Sequence, residues 1–337
     1  MRKILFAGLA FLFLASCKGD PERMERTFSG FALGTTYHVT IIGDKVPDDF
    51  NERLEEVFRM ADDAMSVFNP ESQLNRINNN YTQVMGPHIE YLVKLGCEFS
   101  EMSGGKYDIT VEPLLDAYGF SGSPPKENVN VDSLLKYVGY QKISIENGKL
   151  MKQYPETRIG LNSIAKGYTV DLVARMLDDN GITDYLVSIG GEIVCRGRNK
   201  RNKEWSVAIE TPFEGNVVEG THTMARIHVS DVGIATSGNY RNYRLDNDGS
   251  KYTHIIDPLT GENTVSSLLS ATVVAENCAR ADAMATMFIS LGLEGSLELM
   301  EKEADIAVLL IFEGDGEGLE TYVSPKMKKY FESKGDA

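Results

Sequence analysis

The sequence predicts an α+β fold of mixed or antiparallel sheets with packed helices, on three observations. Apolar residues recur at three- and four-residue intervals in a few long stretches, most clearly Leu161, Ile164, Ala165, Tyr168, Leu172, Val173, Met176 and Leu177. Short β-rich runs are divided by turn residues, as at Asn147-Gly148. No regular strand–helix alternation runs through the 337 residues, so a doubly wound parallel sheet is not expected. That length accommodates one large unit or two lobes around a cleft, with a sizeable core. The formal net charge of -15, without any basic cluster, excludes a nucleic-acid-binding surface. An acidic chain that handles a phosphate compound needs local screening from a divalent metal, helix N-termini or a few placed Lys and Arg residues.

Arg2-Lys3 and an apolar run from Ile4 to Leu14, too short for a comfortable membrane span, read as a targeting segment. Leu14-Ala15-Ser16-Cys17 resembles the bacterial lipoprotein signal, so residues 1–16 are expected to be removed and Cys17 to carry lipid. Residues 17–27 are polar, as a tether would be, residues 28–325 form the domain, and 326–337 form a tail. Cys97, Cys195 and Cys278 remain, odd in number and without CxxC spacing, and are expected as buried thiols.

Within the domain, Phe31 to Thr36 leads into a β segment from Tyr37 to Ile42, with Gly34 allowing close backbone approach. A helix is expected from Asp48-Asp49 to about Phe68, its apolar stripe running through Phe50, Leu54, Val57, Phe58, Ala61, Met65 and Phe68. Phe68 at its end either packs on the core or stacks on a ring. A second helix covers roughly Glu90 to Met102 and stops at Ser103-Gly104-Gly105. In Tyr107 to Val111, Asp108 and Thr110 alternate with apolar neighbours and would share one face of a strand. Gly122 to Asn130 reads as a surface loop or a join between lobes. A hairpin pairs Lys142–Glu146 with Lys149–Lys152, and the chain then reaches Leu161-Asn162-Ser163, where a helix begins. Its first turn offers N–H groups and a positive dipole end to an anion, or Asn162 or Ser163 caps it. Strands follow at Tyr185–Ile189, ending in Gly190-Gly191-Glu192, at Trp205–Glu210 and at Ser270–Ala275. The helix from Asn277 to Ile289 is apolar almost all round and therefore buried.

On that buried helix Asp282 and Thr286 stand four residues apart and share a face. An ionised carboxylate left alone there would cost several kcal/mol, so a basic side chain, a hydrogen bond or a cation must answer it. Carboxylate, hydroxyl and carbonyl oxygens suit a hard cation such as Mg²⁺. His254, beside Thr253 in a β-to-turn segment, is a general base if it lies near such a metal and otherwise an ordinary imidazole. Lys166 opposes the dipole at the start of its helix, which a nearby anion would rationalise.

Taken in order, Leu33-Gly34-Thr35-Thr36, Met65-Ser66-Val67-Phe68-Asn69, Tyr107-Asp108-Ile109-Thr110-Val111, Ile164-Ala165-Lys166-Gly167-Tyr168, Ile189-Gly190-Gly191-Glu192, Ala235-Thr236-Ser237-Gly238, the run from His254 to Gly261, and Asp282-Ala283-Met284-Ala285-Thr286 resemble the motif set of the ApbE family, the FAD:protein FMN transferases. The resemblance spans residue 28 to about Phe312. It implies a Mg²⁺-dependent enzyme that moves the FMN half of FAD onto a threonine hydroxyl of a target protein and releases AMP. It places metal ligands on Ser163 and Ala285 through backbone carbonyls and on Asp282 and Thr286, FAD contacts on Leu33, Phe68, Lys106, Tyr107, Asp108, Gly160, Lys166 and Ile255, and the base on His254. Leu33, Lys106-Tyr107 and Tyr118 depart from the family's usual Met, Ala-Phe and Trp. The implied partners are exposed flavoprotein subunits of membrane redox complexes, reached by a lipid-anchored enzyme in the cell envelope, facing the periplasm. Acceptors of this kind resemble Asp-Gly-x-Thr-Gly-Ala-Thr/Ser, a run this chain lacks. Two other readings stand beside this one, an FAD pyrophosphatase with water as acceptor and a non-catalytic flavin-binding lipoprotein.

Overall fold

An eight-stranded sheet organises the chain in the computed structural model, which describes residues 23–122, 124–126, 128–213, 222–238, 243–245, 251–253, 255–264, 266–314, 316 and 318–331. In chain order the elements are β1 (Glu25–Ala32), β2 (Thr35–Ile42), α1 (Phe50–Met65), α2 (Gln73–Asn78), α3 (Pro87–Met102), α4 (Glu112–Ala117), α5 (Val131–Leu135), β3 (Ile143–Glu146), β4 (Lys149–Lys152), α6 (Ala165–Asp179), β5 (Tyr185–Ile189), β6 (Glu192–Arg196), β7 (Trp205–Glu210), β8 (Thr223–Val229), β9 (Val232–Gly238), β10 (Tyr243–Leu245), β11 (Lys251–Thr253), β12 (Leu268–Ala275), α7 (Cys278–Lys302), β13 (Ala307–Glu313), β14 (Leu319–Val323) and α8 (Pro325–Lys328). The sheet runs β1-β2-β5-β6-β9-β12-β13-β14, and every pairing in it is antiparallel. The α+β expectation holds.

Alternation along the strands divides the interior between the two faces of the sheet. On β13, Val308 and Leu310 join the core under α1, α3, α6 and α7, while Leu309 and Ile311 face a second core built with Trp205, Val207 and Ile227 of the β7–β8 hairpin. Cys195 and Cys278 are fully buried in these cores, as expected of small apolar side chains, whereas Cys97 is only partly buried against the first core. Helix α7 is long and apolar enough to cross a membrane by composition, yet it packs on β9, β12 and α6 as core.

Two boundaries differ from the sequence reading. β1 begins at Glu25, inside the expected tether, because backbone pairing with β2 needs no apolar side chains, and the Arg23 guanidinium bonds Asp184 at 3.0 Å. The expected tail likewise belongs partly to the domain: Met327 of α8 is fully buried and the Tyr330 carbonyl accepts from His228 N–H at 2.7 Å. Residues 1–22, with Cys17 and the signal segment, lie outside the described residues.

Helices α6 and α7 cap each other. The Asp171 carboxylate of α6 accepts from the N–H groups of Cys278 and Ala279 at the start of α7, both at 2.8 Å. The Asp282 carboxylate of α7 accepts from Gly167 N–H at the start of α6 at 2.9 Å. Such contact requires close approach, and a Cβ on Gly167 would collide with the Cys278 carbonyl and the Asp282 side chain. Burial pushes the Asp171 carboxyl up to about 6 against the two N–H bonds that favour its charge. Asp171→Ala is expected to destabilise the fold by about 3 kcal/mol and lower Tm by several degrees, and Asp171→Asn by about half as much, because the amide keeps one acceptor. Thermal and denaturant unfolding of the two variants check this ordering.

Candidate active site

The site forms where the first turn of α6 meets α7. Ile164 holds the N-cap position of α6 and no side chain of its own segment caps it. Asn162 is exposed and the Ser163 hydroxyl pairs with the Tyr107 hydroxyl at 2.8 Å, so neither supplies the expected cap. Asp282 does so from another helix.

Around Asp282 the charges do not balance. The Lys166 ammonium bonds Glu192 Oε1, and both Glu192 and Asp282 act on it; Glu192 Oε2 is buried without a hydrogen-bond partner. Burial works against the Lys166 charge, but these two carboxylates outweigh it and hold the ammonium above its usual range. Burial, and next the Glu192 charge, push the Asp282 carboxyl up to about 8. One lysine thus serves two buried carboxylates, in a setting otherwise made of hydroxyls and carbonyls. Thr286, one turn further along α7, shares its hydroxyl with Ser237 of β9 at 3.0 Å. Among the described residues no three His, Cys, Asp or Glu side chains gather as a metal cluster, so a cation here would rely on Asp282 and neutral oxygens. The donor chemistry, together with a carboxyl whose nearest lysine is already committed to Glu192, fits a hard divalent cation.

Two tight turns deliver further residues to one end of the sheet. Leu33-Gly34 joins β1 to β2 and Gly190-Gly191 joins β5 to β6, with positive φ at all four residues, as two-residue hairpins of matching twist require. The double glycine therefore has a structural purpose: it places Glu192 one residue beyond the turn, facing Lys166. The turns adjoin, since Gly190 N–H bonds the Thr36 carbonyl at 2.9 Å. Leu33 is 37% exposed there at φ 52, a conformation that costs a leucine about 1 kcal/mol.

The remaining expected contacts separate into two groups. Lys106 pairs with Asp257 at 2.6 Å, tying its loop to the segment that holds Ile255, which is buried. Tyr107 is buried in the core, its hydroxyl held above the usual range by burial despite the Ser163 hydrogen bond. Asp108 and Thr110 do not share a strand face. Asp108 caps a short 3₁₀ turn, Ile109–Val111, accepting from Thr110 N–H at 2.8 Å and from Tyr140 N–H at 2.6 Å, and both residues are buried. Alternation was misleading because an Asp side chain bonding two residues ahead forms a turn. Phe68 stands apart at the rim, 64% exposed, over Gly122. His254 lies outside the described residues. Two clefts of about 660 and 460 Å³ lie elsewhere, beside His88 and beside Tyr168 with Arg175.

Sequence reasoning missed Glu192 and Ser237 as side chains of the site, although it quoted their motifs. It also missed Glu112, whose carboxyl fills the space beside Gly160 that a Cβ would need. Glu112 is fully buried and neither of its oxygens has a hydrogen-bond partner. Burial pushes it up to about 7, with Ser121 and Arg158 opposing the shift.

A model of the ApbE family matches residues 33–310. The chain is 34% identical, over 340 aligned positions covering 98% of it and 99% of the relative, to an FAD:protein FMN transferase of Vibrio cholerae. It is 30% identical to an FAD:protein FMN transferase of Escherichia coli K12, covering 96% of each chain. Among solved structures, the flavin transferase ApbE from Vibrio cholerae superposes with a TM-score of 0.81 at 31% identity, over 91% of this chain and 99% of that one. The apo flavinyl transferase ApbE of Pseudomonas stutzeri superposes with a TM-score of 0.80 at 29% identity, over 92% and 98%.

The folded-state carboxyl of Glu112 titrates above its unfolded value, so its contribution to stability is fully present at low pH and is lost as pH rises through about 7. Glu112→Gln removes that loss. Relative to the unmodified protein it is expected to gain up to about 3 kcal/mol of stability between pH 4 and pH 8, read from denaturant unfolding at the two values.

Proposed function

This chain belongs to the ApbE family, and on that premise we propose that it is an FAD:protein FMN transferase using Mg²⁺ and a threonine hydroxyl of a target protein. The observation that carries the reading is Asp282, buried at the N-terminus of α6 beside Glu192 with one lysine between them. In the reaction the threonine oxygen bonds the FMN phosphorus, the bond from that phosphorus to the bridging oxygen breaks, and AMP leaves with the electron pair. The hydroxyl proton passes to a base, a role proposed for His254. The metal would be held by Asp282, the Thr286 hydroxyl and the carbonyls of Ser163 and Ala285, and when bound it would neutralise charge on the phosphate oxygens.

The chain's own groups support that chemistry. Asp282 is fixed by Gly167 N–H, so its carboxylate is oriented before any ligand arrives. The Tyr107 hydroxyl holds the Ser163 side chain, and Ser237 holds that of Thr286. Lys166 keeps 43% of its side chain exposed while reaching Glu192, so the same cation can face an anionic group. We propose FAD contacts at Leu33, Phe68, Gly160, Lys166 and Ile255 and along Lys106-Tyr107-Asp108. Because the side chains of Lys106, Tyr107 and Asp108 are already engaged, that last contact is expected through backbone groups. Cys17 is proposed as the lipid anchor of an enzyme facing the periplasm, acting on exposed flavoprotein subunits of membrane redox complexes; the targeting pattern of residues 1–17 supports this.

Incubation with FAD, Mg²⁺ and a peptide carrying the acceptor run is expected to give peptide–FMN and AMP in equal amounts. Free FMN with unlabelled peptide would instead mark a pyrophosphatase. Asp282→Ala is expected to lower turnover at least about 10³-fold, the several kcal/mol that a metal site supplies. His254→Ala is expected to lower it about 10²- to 10⁴-fold while FAD binding persists. Turnover unchanged in Asp282→Ala would remove the metal reading.

A further inference from the structure

Gly160 is a proposed FAD contact with no side chain to make one. Its N–H is committed to the Ile109 carbonyl at 2.7 Å, and its neighbours Ile159 and Leu161 are fully buried. Gly160 is itself buried, so any contact it makes with a nucleotide is through its backbone alone. The space behind that backbone is not empty: Glu112 Oε2 lies where a residue-160 Cβ would stand.

Glu112 does not sit there for the stability of the fold. Both its oxygens, Ser121 Oγ and Arg158 Nε are buried without a well-formed hydrogen bond, and only the nearby Ser121 hydroxyl and Arg158 favour its charge. Each orphaned group carries a desolvation cost that an apolar side chain of similar volume would not. The charged groups acting on Glu112 are Arg158 and, from its own helix, Asp116, which pairs with Lys126 at 2.7 Å. Ser121 lies beside the carboxyl and leads directly to Gly122, over which the exposed Phe68 ring packs. A single buried carboxyl thus adjoins one proposed FAD contact, Gly160, and the Ser121-Gly122 segment that packs under another, Phe68.

We infer that Glu112 is a positioning residue for FAD: its carboxyl backs the Gly160 backbone and, through Ser121, the segment under Phe68, and so fixes the spacing of the two proposed contacts. This rests on the FAD reading above. Volume at position 112 matters here and net charge does not, so an isosteric amide preserves the role. Truncation opens a void behind Gly160 and lets its backbone recede. A methyl group on residue 160 collides with Glu112 and pushes the backbone the other way. The two changes act on one contact, so their effects are not additive.

FAD affinity of the full chain, measured by fluorescence titration without acceptor, tests this on Glu112→Gln, Glu112→Ala, Gly160→Ala and the Glu112→Ala/Gly160→Ala pair, with Tm recorded for each. The dissociation constant is expected to rise about tenfold in Glu112→Ala and more than tenfold in Gly160→Ala, while the double variant returns to within about threefold of Glu112→Ala alone. Glu112→Gln stays within about threefold of the unmodified protein. With acceptor peptide, KM for FAD follows the same order and kcat at saturating FAD changes less, a split that general loss of folding would not produce. Additive effects in the double variant, or a folded Glu112→Ala that binds FAD normally, would overturn the inference alone. An unmodified protein that binds no FAD would overturn the FAD reading and this inference with it.

Discussion

The exchange of carboxylates between α6 and α7 is the constraint on which the site depends. Each helix supplies an acid to the other's N-terminus, where unpaired N–H groups and a positive dipole end await an anion. The exchange works only at the close approach that Gly167 permits. It fixes the axial register of the two helices, because both carboxylates must meet N–H groups at opposite ends of one contact. That register puts Lys166, on the same first turn, within reach of both Glu192 and Asp282, and it sets Thr286 against Ser237.

The two carboxylates are not equivalent. Asp171 is answered by two backbone N–H groups and by the nearby charges of Arg196 and Arg175. Asp282 has a single N–H and a lysine already committed to Glu192. A fold selected for stability alone gains nothing from the second arrangement, since buried ion groups at best break even against apolar packing. The imbalance is what the proposed cation site would require, since burial would supply the low dielectric in which a cation acts strongly.

Much of the fold was legible in the sequence because it rests on local periodicity. The stripe of α1 and the Asn147-Gly148 hairpin appear where their patterns predict, with ends shifted by a few residues, while the all-round apolar α7 continues past a break at Gly292 to Lys302, well beyond its expected end at Ile289. The antiparallel character followed from the missing strand–helix alternation. What the sequence did not name was the partner distant in the chain, although it did call for a group to answer Asp282 and an anion beside Lys166. Asn162 and Ser163 have the right chemistry to cap α6, but the cap is supplied by Asp282, 115 residues beyond Gly167. The pairing of Lys166 with Glu192 and the packing of Glu112 behind Gly160 leave no periodic trace. Asp108 and Thr110 show the converse error, a two-residue alternation produced by a turn.

Leu33 shows how such distant constraints shape a contact surface. A leucine in the left-handed region is disfavoured, and glycine or asparagine would close the same hairpin without that cost. The turn also abuts the Gly190-Gly191 turn, which in that reversal has no side chains to fill the space beside Thr35. A larger residue at 190 would push the two turns apart and carry Glu192 with it. The sheet end thus combines a strained, partly exposed apolar residue with a glycine pair that keeps it close to the charged centre. Local strain that persists where a strain-free residue would serve is most simply understood as serving the surface it presents. At Leu33 that surface is a partly exposed apolar side chain on the turn that adjoins the one leading into Glu192.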